Sequence, residues 1–271
     1  MTAENQFLVP APAGFAEGRR KLECLAPHLR ALSTDGSSVL SDALFDGLEF
    51  PELTKLDLLP SCRLEGAAKI FEKFVHLKQL SFWASTQEQC ETAFPLLAAA
   101  PFWDHLTHLE ILLLLSASDL DLNPIGGWTE LWLGRELSIE MMKLSGLEFP
   151  AVETLLKAHY PRLRYLSLAA ALPEALLPAI ASADMPALEI LDVRFNMISG
   201  EGLKTFAQTA REHLPNLREV GVEMYTGERV DYNDWNGALV GGYDVQYTPE
   251  ELERLYLDGT GISVMRETPV W

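Results

Sequence analysis

The sequence predicts an α/β solenoid, in which short parallel strands alternate with helical or irregular returns. A short phrase, Pro-x-Leu-x-x-Leu-x-Leu, recurs along the chain, and its copies are spaced at 24 to 35 residues. Segments with helical periodicity lie between several of the copies. Because fixed periods of this order are typical of repeat architectures, each copy is expected to supply one strand to a shared parallel sheet.

Four copies fit the phrase closely, and five are looser. The close copies are PELTKLDL, PRLRYLSL, PALEILDV and PNLREVGV. The looser copies are PHLRALST, FVHLKQLSF, THLEILLL, GRELSI and PEELERLYL. The middle apolar residue of each copy is predicted to point into the core, and these residues are Leu32, Leu56, Leu80, Leu112, Leu137, Leu166, Leu191, Val220 and Leu255. We therefore expect eight or nine repeats.

The segments between the predicted strands have the spacing of helices. The best example begins after Ser199, where Leu203, Phe206 and Ala210 recur on one helical face before Pro215 ends the helix. Further helical returns are predicted over 91–100, 149–159 and 173–183. In such an array the strands form a curved sheet on the concave face, and the helices and loops lie on the convex face.

One copy carries a longer motif. The pattern LxxLxLxxNxIxxxGxxxL is met at Leu188 to Leu203, with Asn196 at the asparagine position. On this motif, residues 22–262 resemble the leucine-rich repeat family, and are closest to its long, helix-containing repeats, similar to those of ribonuclease inhibitors and bacterial intracellular repeat proteins. Other copies have Ser61, Ala171 or Thr226 near the asparagine position. The resemblance implies non-enzymatic protein binding through the concave face.

Composition and charge restrict the class of partner. The chain has 271 residues, a formal net charge of −18 and three widely spaced cysteines. A strongly acidic protein is repelled by nucleic acid and by anionic membranes, whereas a basic protein partner is permitted. The amino-terminal segment lacks the pattern of a signal peptide, and the longest apolar run is too short to span a bilayer. We expect a cytoplasmic, bacterial-type protein, with a monomer favoured.

We predict three regions along the chain. Residues 1–25 are interpreted as an amino-terminal tail or cap, and 26–224 as the leucine-rich repeats. Residues 225–271 are interpreted as an irregular repeat and a carboxy-terminal cap. Within that last region, the aromatic-rich segment 225–248 has two interpretations: a cap that covers the last repeat, or a recognition loop for a basic partner.

No catalytic or cofactor motif stands out. The chain has no GxSxG, HExxH or phosphate-binding glycine loop, and it is expected not to be an enzyme and to have no cofactor. His105 and His108 lack the further ligands that a metal centre needs. The segment Asp119–Glu130 partly matches a calcium loop, but Pro124 stands where glycine is required for the turn. A metal-dependent module is therefore only a third alternative, and no metal ligand is predicted.

The candidate partner-binding residues are the side chains that the strands should turn to the concave face, together with the aromatic segment. An apolar patch is predicted from Leu59, Trp83, Ile111, Leu113 and Leu115. An acidic patch is predicted from Glu136, Glu140, Asp192, Glu219, Glu223 and Asp258, with Arg194 and Arg254 among them. The aromatic candidates are Tyr165, Tyr225, Tyr232, Trp235 and Tyr256.

Two alternatives remain open for these patches. A one-residue error in the strand register would turn the apolar patch into the core, because successive side chains alternate between faces. The acidic patch is either a solvated polar face or the surface of an inhibitor or immunity-type protein that masks a basic enzyme or toxin. The sequence itself does not identify the partner.

Overall fold

The computed structural model describes residues 6–35, 38–60, 62–64, 67–114, 137–147, 149–169, 175–194, 196, 198–223, 225–233, 239–245 and 247–267; for 225–233 and 239–245 it describes the backbone alone. The main element is a ten-stranded sheet in which every pairing is parallel. Neighbouring strands in this sheet follow one another along the chain, except that a separate antiparallel pair intervenes before the last strand. The molecule is thus an open α/β fold.

The strands are short, as the repeated phrase predicts. The ten strands of the sheet are β1 (Gln6–Leu8), β2 (Ala31–Ser33), β3 (Lys55–Leu58), β4 (Gln79–Ala84), β5 (His108–Leu113), β6 (Met141–Ser145), β7 (Tyr165–Ala169), β8 (Ile190–Asp192), β9 (Glu219–Gly221) and β12 (Ser263–Val264). Two further strands, β10 (Tyr225–Asn233) and β11 (Leu239–Val245), form a separate antiparallel pair.

Helices occupy the returns between strands. They are α1 (Phe15–Leu25), α2 (Asp42–Phe45), α3 (Ala67–Phe71), α4 (Gln87–Ala98), α5 (Phe149–Leu155), α6 (Leu176–Ala181), α7 (Gly200–His213) and α8 (Pro249–Leu252). Short 3₁₀ helices lie at Pro12–Gly14, Ala26–His28 and Pro101–His105, and one π-helical turn lies at Glu253–Leu257. In the described part of the chain, no helix combines the length and the apolar character needed to cross a membrane.

Each predicted helical segment overlaps a helix, but the bounds differ. The segments 149–159 and 173–183 contain the shorter helices Phe149–Leu155 and Leu176–Ala181. The Ser199 hydroxyl accepts from the Gly202 backbone N–H and begins α7 as predicted. Helix α4 begins at Gln87, four residues before the predicted start, because Thr86 and Gln89 form a reciprocal capping box. Pro95 lies inside α4 and does not end it.

One buried row crosses the sheet at the centre of every strand. The strand register places these side chains next to one another, and all are buried: Phe7, Leu32, Leu56, Leu80, Leu109, Met142, Leu166, Leu191, Val220 and Val264. The residue three positions earlier is also buried in most units, for example Leu53, Leu77 and Leu163. Each repeated phrase therefore supplies core contacts that only neighbouring units complete.

Three of the residues predicted to lie at the centre of a strand do not lie there. In β5 the central residue is Leu109 and not Leu112, which is partly exposed. In β6 it is Met142 and not Leu137, although Leu137 is buried before the strand begins. At the carboxy-terminal end, PEELERLYL forms α8 and the π-helical turn, Leu255 is exposed, and the strand follows later at Ser263–Val264.

Candidate functional site

The side chains on the face of the sheet opposite the core form three rows, and we call this surface the outer face. The strand register defines the rows. The first contains Lys55, Gln79, His108, Met141, Tyr165, Ile190 and Glu219. The second contains Ser33, Asp57, Ser81, Glu110, Lys143, Ser167, Asp192 and Gly221. The third contains Trp83, Leu112, Ser145 and Ala169.

The outer face divides into two parts with different exposure. On β3 to β6, which we call the amino-terminal half, the members of all three rows are partly exposed. On β7 to β9 and the adjoining β12, which we call the carboxy-terminal half, Tyr165, Ile190 and Asp192 are buried. The amino-terminal half is therefore the part of the outer face that a partner can reach across several adjacent strands.

A hydrogen-bonded chain connects three residues of the amino-terminal half. The Trp83 indole Nε1–H donates to Ser81 Oγ at 2.9 Å. The Ser81 hydroxyl donates to Glu110 Oε2 at 2.7 Å, across the β4–β5 pairing. An indole and a carboxylate are thus held in fixed positions by the small side chain between them.

Charged groups lie on both sides of this chain. Asp57 accepts a hydrogen bond from the Ser33 hydroxyl at 3.1 Å and forms an ion pair with Lys55 Nζ at 3.1 Å. Lys143 is the register neighbour of Glu110, but its ammonium lies over the Tyr165 ring, 5.9 Å from the ring centre. A cavity of about 190 Å³ lies among these side chains, and its lining includes Lys55, Asp57, Gln79, Ser81, His108, Glu110, Met141 and Lys143.

His108 lies in the lining of this cavity. Its Nδ1 is 2.8 Å from the Thr107 hydroxyl. Partial burial lowers the pKa of the His108 imidazole, and Lys143 acts in the same direction while Glu140 opposes it. The neutral imidazole is therefore favoured near pH 7, which suits hydrogen bonding to a polar partner group.

A larger cavity, of about 540 Å³, adjoins Trp83 at the carboxyl ends of β3 and β4. Its apolar lining comes from Leu58, Leu59, Cys62, Leu64, Phe82 and Trp83. Its polar lining comes from Arg63, Thr86, Glu88, Gln89 and Thr92, of which Arg63, Thr86, Glu88 and Thr92 are exposed. Burial raises the pKa of the Cys62 thiol, so this sulfur is a weak nucleophile.

The carboxy-terminal half contains a buried polar cluster instead. Arg194 Nε and Nη2 donate to the two Asp192 oxygens at 2.9 and 2.7 Å, and the Tyr165 hydroxyl donates to Asp192 Oδ2 at 3.3 Å. Burial, and secondarily the Asp192 charge, raises the pKa of Tyr165 to about 12.

Met265, just beyond β12, completes this half of the face. It belongs to an apolar cluster with Tyr165 and Ile190, against which Met141 packs. A Cβ atom added at Gly221 would lie 2.6 Å from Met265 Cε and 2.7 Å from Asp192 Oδ1. Glycine at position 221 therefore leaves the space that these two side chains fill.

The predicted apolar patch is only partly on the outer face. Trp83 lies there as predicted, and Leu59 is partly exposed beside it. The positions predicted for Ile111 and Leu113 were wrong, because both side chains are buried in the core. The physical reason is the β5 register, in which Leu109, Ile111 and Leu113 face inward. Leu115 lies outside the described residues.

The predicted acidic patch is broken up by pairing and by the β6 register. Asp192 is buried against Arg194, and Glu219 pairs with Arg218 at 2.6 Å. Glu140 is exposed immediately before β6, and Glu223 is partly exposed after β9. Glu136 lies outside the described residues.

The carboxy-terminal candidates are dispersed. The predicted strand positions of Arg254, Tyr256 and Asp258 were wrong, because residues 253–257 form the π-helical turn and Asp258 follows it. Tyr256 packs edge-on against Tyr247, with their ring centres 6.0 Å apart. Tyr225 and Tyr232 lie on β10, where the backbone alone is described, and Trp235 lies outside the described residues.

Sequence reasoning missed Glu110, His108, Met141 and Lys143 as outer-face residues. The signal for His108 and Glu110 was the alternation His108-Leu109-Glu110-Ile111, which places the polar side chains on the outer face.

Among the described residues, no three histidine, cysteine or acidic side chains are grouped to hold a metal ion. The segment Asp119–Glu130, which partly matches a calcium loop, lies outside the described residues.

Comparison with known proteins adds little to this geometry. No protein-family model matches the chain, and no curated protein sequence matches it. A solved structure that is similar is a chain from the crystal structure of the Rad7 and Elc1 complex in yeast, at 14% identity and a TM-score of 0.30. The match covers 78% of this chain and 74% of that chain. Because this TM-score is low, the α/β fold is described from its own strand pairings and not from this similarity.

Proposed function

We propose that this chain is a non-enzymatic, cytoplasmic protein of the leucine-rich-repeat type that binds a protein partner through the amino-terminal half of its outer face. The observation that carries the proposal is the continuous band of partly exposed side chains across β3, β4, β5 and β6. This band combines an indole, carboxylates, ammonium groups and an imidazole. Mixed aromatic and charged surfaces of this kind are typical of protein interfaces.

The leucine-rich-repeat assignment draws support from the Asn196 side chain. Its amide donates to the Val193 and Arg194 carbonyls at 2.9 and 3.3 Å, and also to the Leu168 carbonyl of the preceding unit. A buried asparagine that joins two successive units explains why the motif has this residue at this position. It also satisfies backbone carbonyls where the strand has ended.

Binding is favoured over catalysis by the chemistry of the described groups. Burial raises the pKa of the Cys62 thiol, and it raises the pKa of Cys90 to about 11, so both sulfurs remain protonated near neutral pH. Asp57 and Asp192 are each paired with a basic side chain. These arrangements fix the positions of side chains and do not activate a nucleophile.

The alternative function is that of an inhibitor that masks a basic enzyme or toxin. Its main support is the net charge of −18. Two of its predicted acidic contacts, Asp192 and Glu219, are paired with arginines of the same chain. An incoming basic protein would have to compete with those arginines. We therefore propose a mixed, partly apolar contact in preference to a purely acidic one.

The test is affinity capture of partners with the tagged chain and a variant of the amino-terminal half. Gln79→Arg places a long charged side chain in the first row between Lys55 and His108, where Gln79 is partly exposed. We expect this variant to lose the captured partners, because a protruding charge prevents close packing at an interface. Gln208→Arg, at an exposed position of α7, is the matched control and should capture the same partners as the wild type.

Circular dichroism should show the same fold for both variants. If Gln79→Arg captures the same partners as Gln208→Arg in equal amounts, the outer face is not the binding surface and the proposed function is wrong.

A further inference from the structure

We propose that the amino-terminal half recognises an extended segment of a protein partner that carries a large apolar side chain close to an arginine or lysine. The apolar side chain occupies the cavity beside Trp83, and the basic group binds the Glu110 carboxylate. This inference rests on the proposed function and specifies the chemistry of the partner.

The cavity beside Trp83 has the dimensions of a recognition pocket. Its volume of about 540 Å³ lies within the range of ligand sites, about 300–1,000 Å³. Leu59, Leu64 and Trp83 are partly exposed in its apolar lining, and exposed polar side chains stand beside them. An apolar lining flanked by polar groups is the usual anatomy of a protein-interface anchor site.

The Glu110 carboxylate supplies the charge complementarity. It accepts from the Ser81 hydroxyl, and among the described residues it has no ion-pair partner. The ammonium of its register neighbour Lys143 is placed over the Tyr165 ring instead. A partly buried carboxylate without a cation attracts a basic group, and the net charge of −18 attracts basic partners at longer range.

The hydrogen-bonded chain from Trp83 through Ser81 to Glu110 makes the two subsites one unit. The indole Nε1–H fixes the Ser81 oxygen as an acceptor, which leaves the Ser81 proton for Glu110. The hydrogen bonds orient the Trp83 indole and the Glu110 carboxylate before a partner arrives, and preorganisation of this kind reduces the entropy lost on binding. Alternate side chains of an extended segment are about 7 Å apart on one face, so an apolar and a basic side chain two residues apart can approach neighbouring subsites together.

The experiment is selection of random 12-residue peptides, displayed on phage, against the intact chain. Enriched peptides are synthesised and titrated by fluorescence anisotropy. We expect them to contain tryptophan, phenylalanine or leucine within a few residues of arginine or lysine. Trp83→Ala should weaken their binding about 30-fold, the effect of losing a central aromatic contact.

Two conservative variants separate the subsites. Glu110→Gln should weaken the same peptides about tenfold and reduce the salt dependence of binding, because the lost contact is ionic. Glu212→Gln, at an exposed position of α7, is the matched control and should change affinity less than about twofold. Trp83→Phe keeps an aromatic ring in the cavity and should retain more affinity than Trp83→Ala.

The proposal is overturned if no peptide is enriched, if the enriched peptides lack a basic residue, or if Glu110→Gln and Glu212→Gln bind them equally. In each case the capture result with Gln79→Arg still decides the proposed function separately. If Gln79→Arg loses its partners and Glu110→Gln has no effect on peptide binding, the outer face is still a protein-binding surface. Only the proposed preference for a basic and an apolar side chain is then wrong.

Discussion

The two halves of the outer face are built from the same strand positions and differ in what their side chains do. In the first row, His108 of β5 is partly exposed and lines a cavity, whereas Tyr165 of β7 is buried. In the second row, Asp57 of β3 is partly exposed, whereas Asp192 of β8 is buried beneath Arg194. Equivalent positions in a repeated fold can therefore serve binding at one end of the sheet and stability at the other.

The difference arises from the residues that extend across the face. Gly221 leaves space that Met265 occupies. The Arg194 side chain, just beyond β8, donates to the Asp192 carboxylate two residues earlier and covers it. In the amino-terminal half, Trp83 and Lys143 are partly exposed and line the two cavities. Substitutions in the carboxy-terminal half should therefore lower stability and leave partner binding unchanged. Substitutions at matched positions of the amino-terminal half should lower partner binding and leave stability nearly unchanged.

The largest expected effect is on stability at the first row. Tyr165→Ala should lower the free energy of unfolding by about 4 kcal/mol, because it removes a fully buried ring packed against Ile190 and Met265. His108→Ala, two strands away in the same row, should cost less than about 1 kcal/mol. Urea unfolding followed by circular dichroism measures both changes. Equal losses for the two variants would show that the halves do not differ in packing.

The second expected effect is a loss of stability at alkaline pH that depends on Tyr165. The pKa of Tyr165 is about 12 in the folded protein and about 10 in an unfolded chain. Below pH 10 its contribution is fully present, and between pH 10 and 12 the unfolded state releases its proton first, so stability falls by about 2–3 kcal/mol.

The measurement is urea unfolding at several pH values between 8 and 12 for the wild type and Tyr165→Phe. The phenylalanine variant should have a shallower decline, although other buried groups still contribute to it. Parallel declines for the two proteins would contradict the burial of a protonated Tyr165.

A third, smaller effect concerns the second row. Asp192→Asn should lower the free energy of unfolding by about 1–2 kcal/mol, because the charge-assisted hydrogen bonds from the partly exposed Arg194 become bonds to a neutral amide. Asp57→Asn should cost less than about 0.5 kcal/mol, since the Lys55–Asp57 pair is at the surface. A cost for Asp57→Asn that matched or exceeded that of Asp192→Asn would reverse the comparison.

The smallest expected effect tests the acidic-patch alternative. Glu219→Lys in the carboxy-terminal half should change unfolding by less than about 0.5 kcal/mol. It should also leave partner capture unchanged if binding is confined to the amino-terminal half. Loss of capture with this variant, together with normal capture by Gln79→Arg, would instead favour an inhibitor that binds a basic protein.

Much of the sheet could be predicted from the sequence, because each unit repeats the same spacing of buried residues. The central positions of β2, β3, β4, β7, β8 and β9 were correct, since in each of these copies a leucine three positions earlier fixes the place of the phrase. The β5 position was wrong because Ile111 to Leu115 is continuously apolar, so the apolar pattern fits either face.

The remaining errors have local causes. In β6 the central position is filled by Met142, a residue that the leucine pattern does not mark, and the nearest match to that pattern is Leu137. At the carboxy-terminal end, Thr248 and Glu251 form a capping box that makes the next residues helical, and this signal outweighs the leucine spacing. The two halves of the site could not be predicted, because the Tyr165–Asp192 hydrogen bond and the packing of Met265 into the space left by Gly221 are tertiary contacts.

The order of strands in the sheet bears on how the chain acquires its structure during synthesis. Successive central residues from Phe7 to Val264 are separated by 24 to 44 residues in the described sheet. The entropy of closing such loops grows only slowly with their length, so each new strand adds at a similar cost. A nascent chain can therefore extend the sheet strand by strand as it leaves the ribosome, and the amino-terminal half can assemble before β12 and Met265 have been translated.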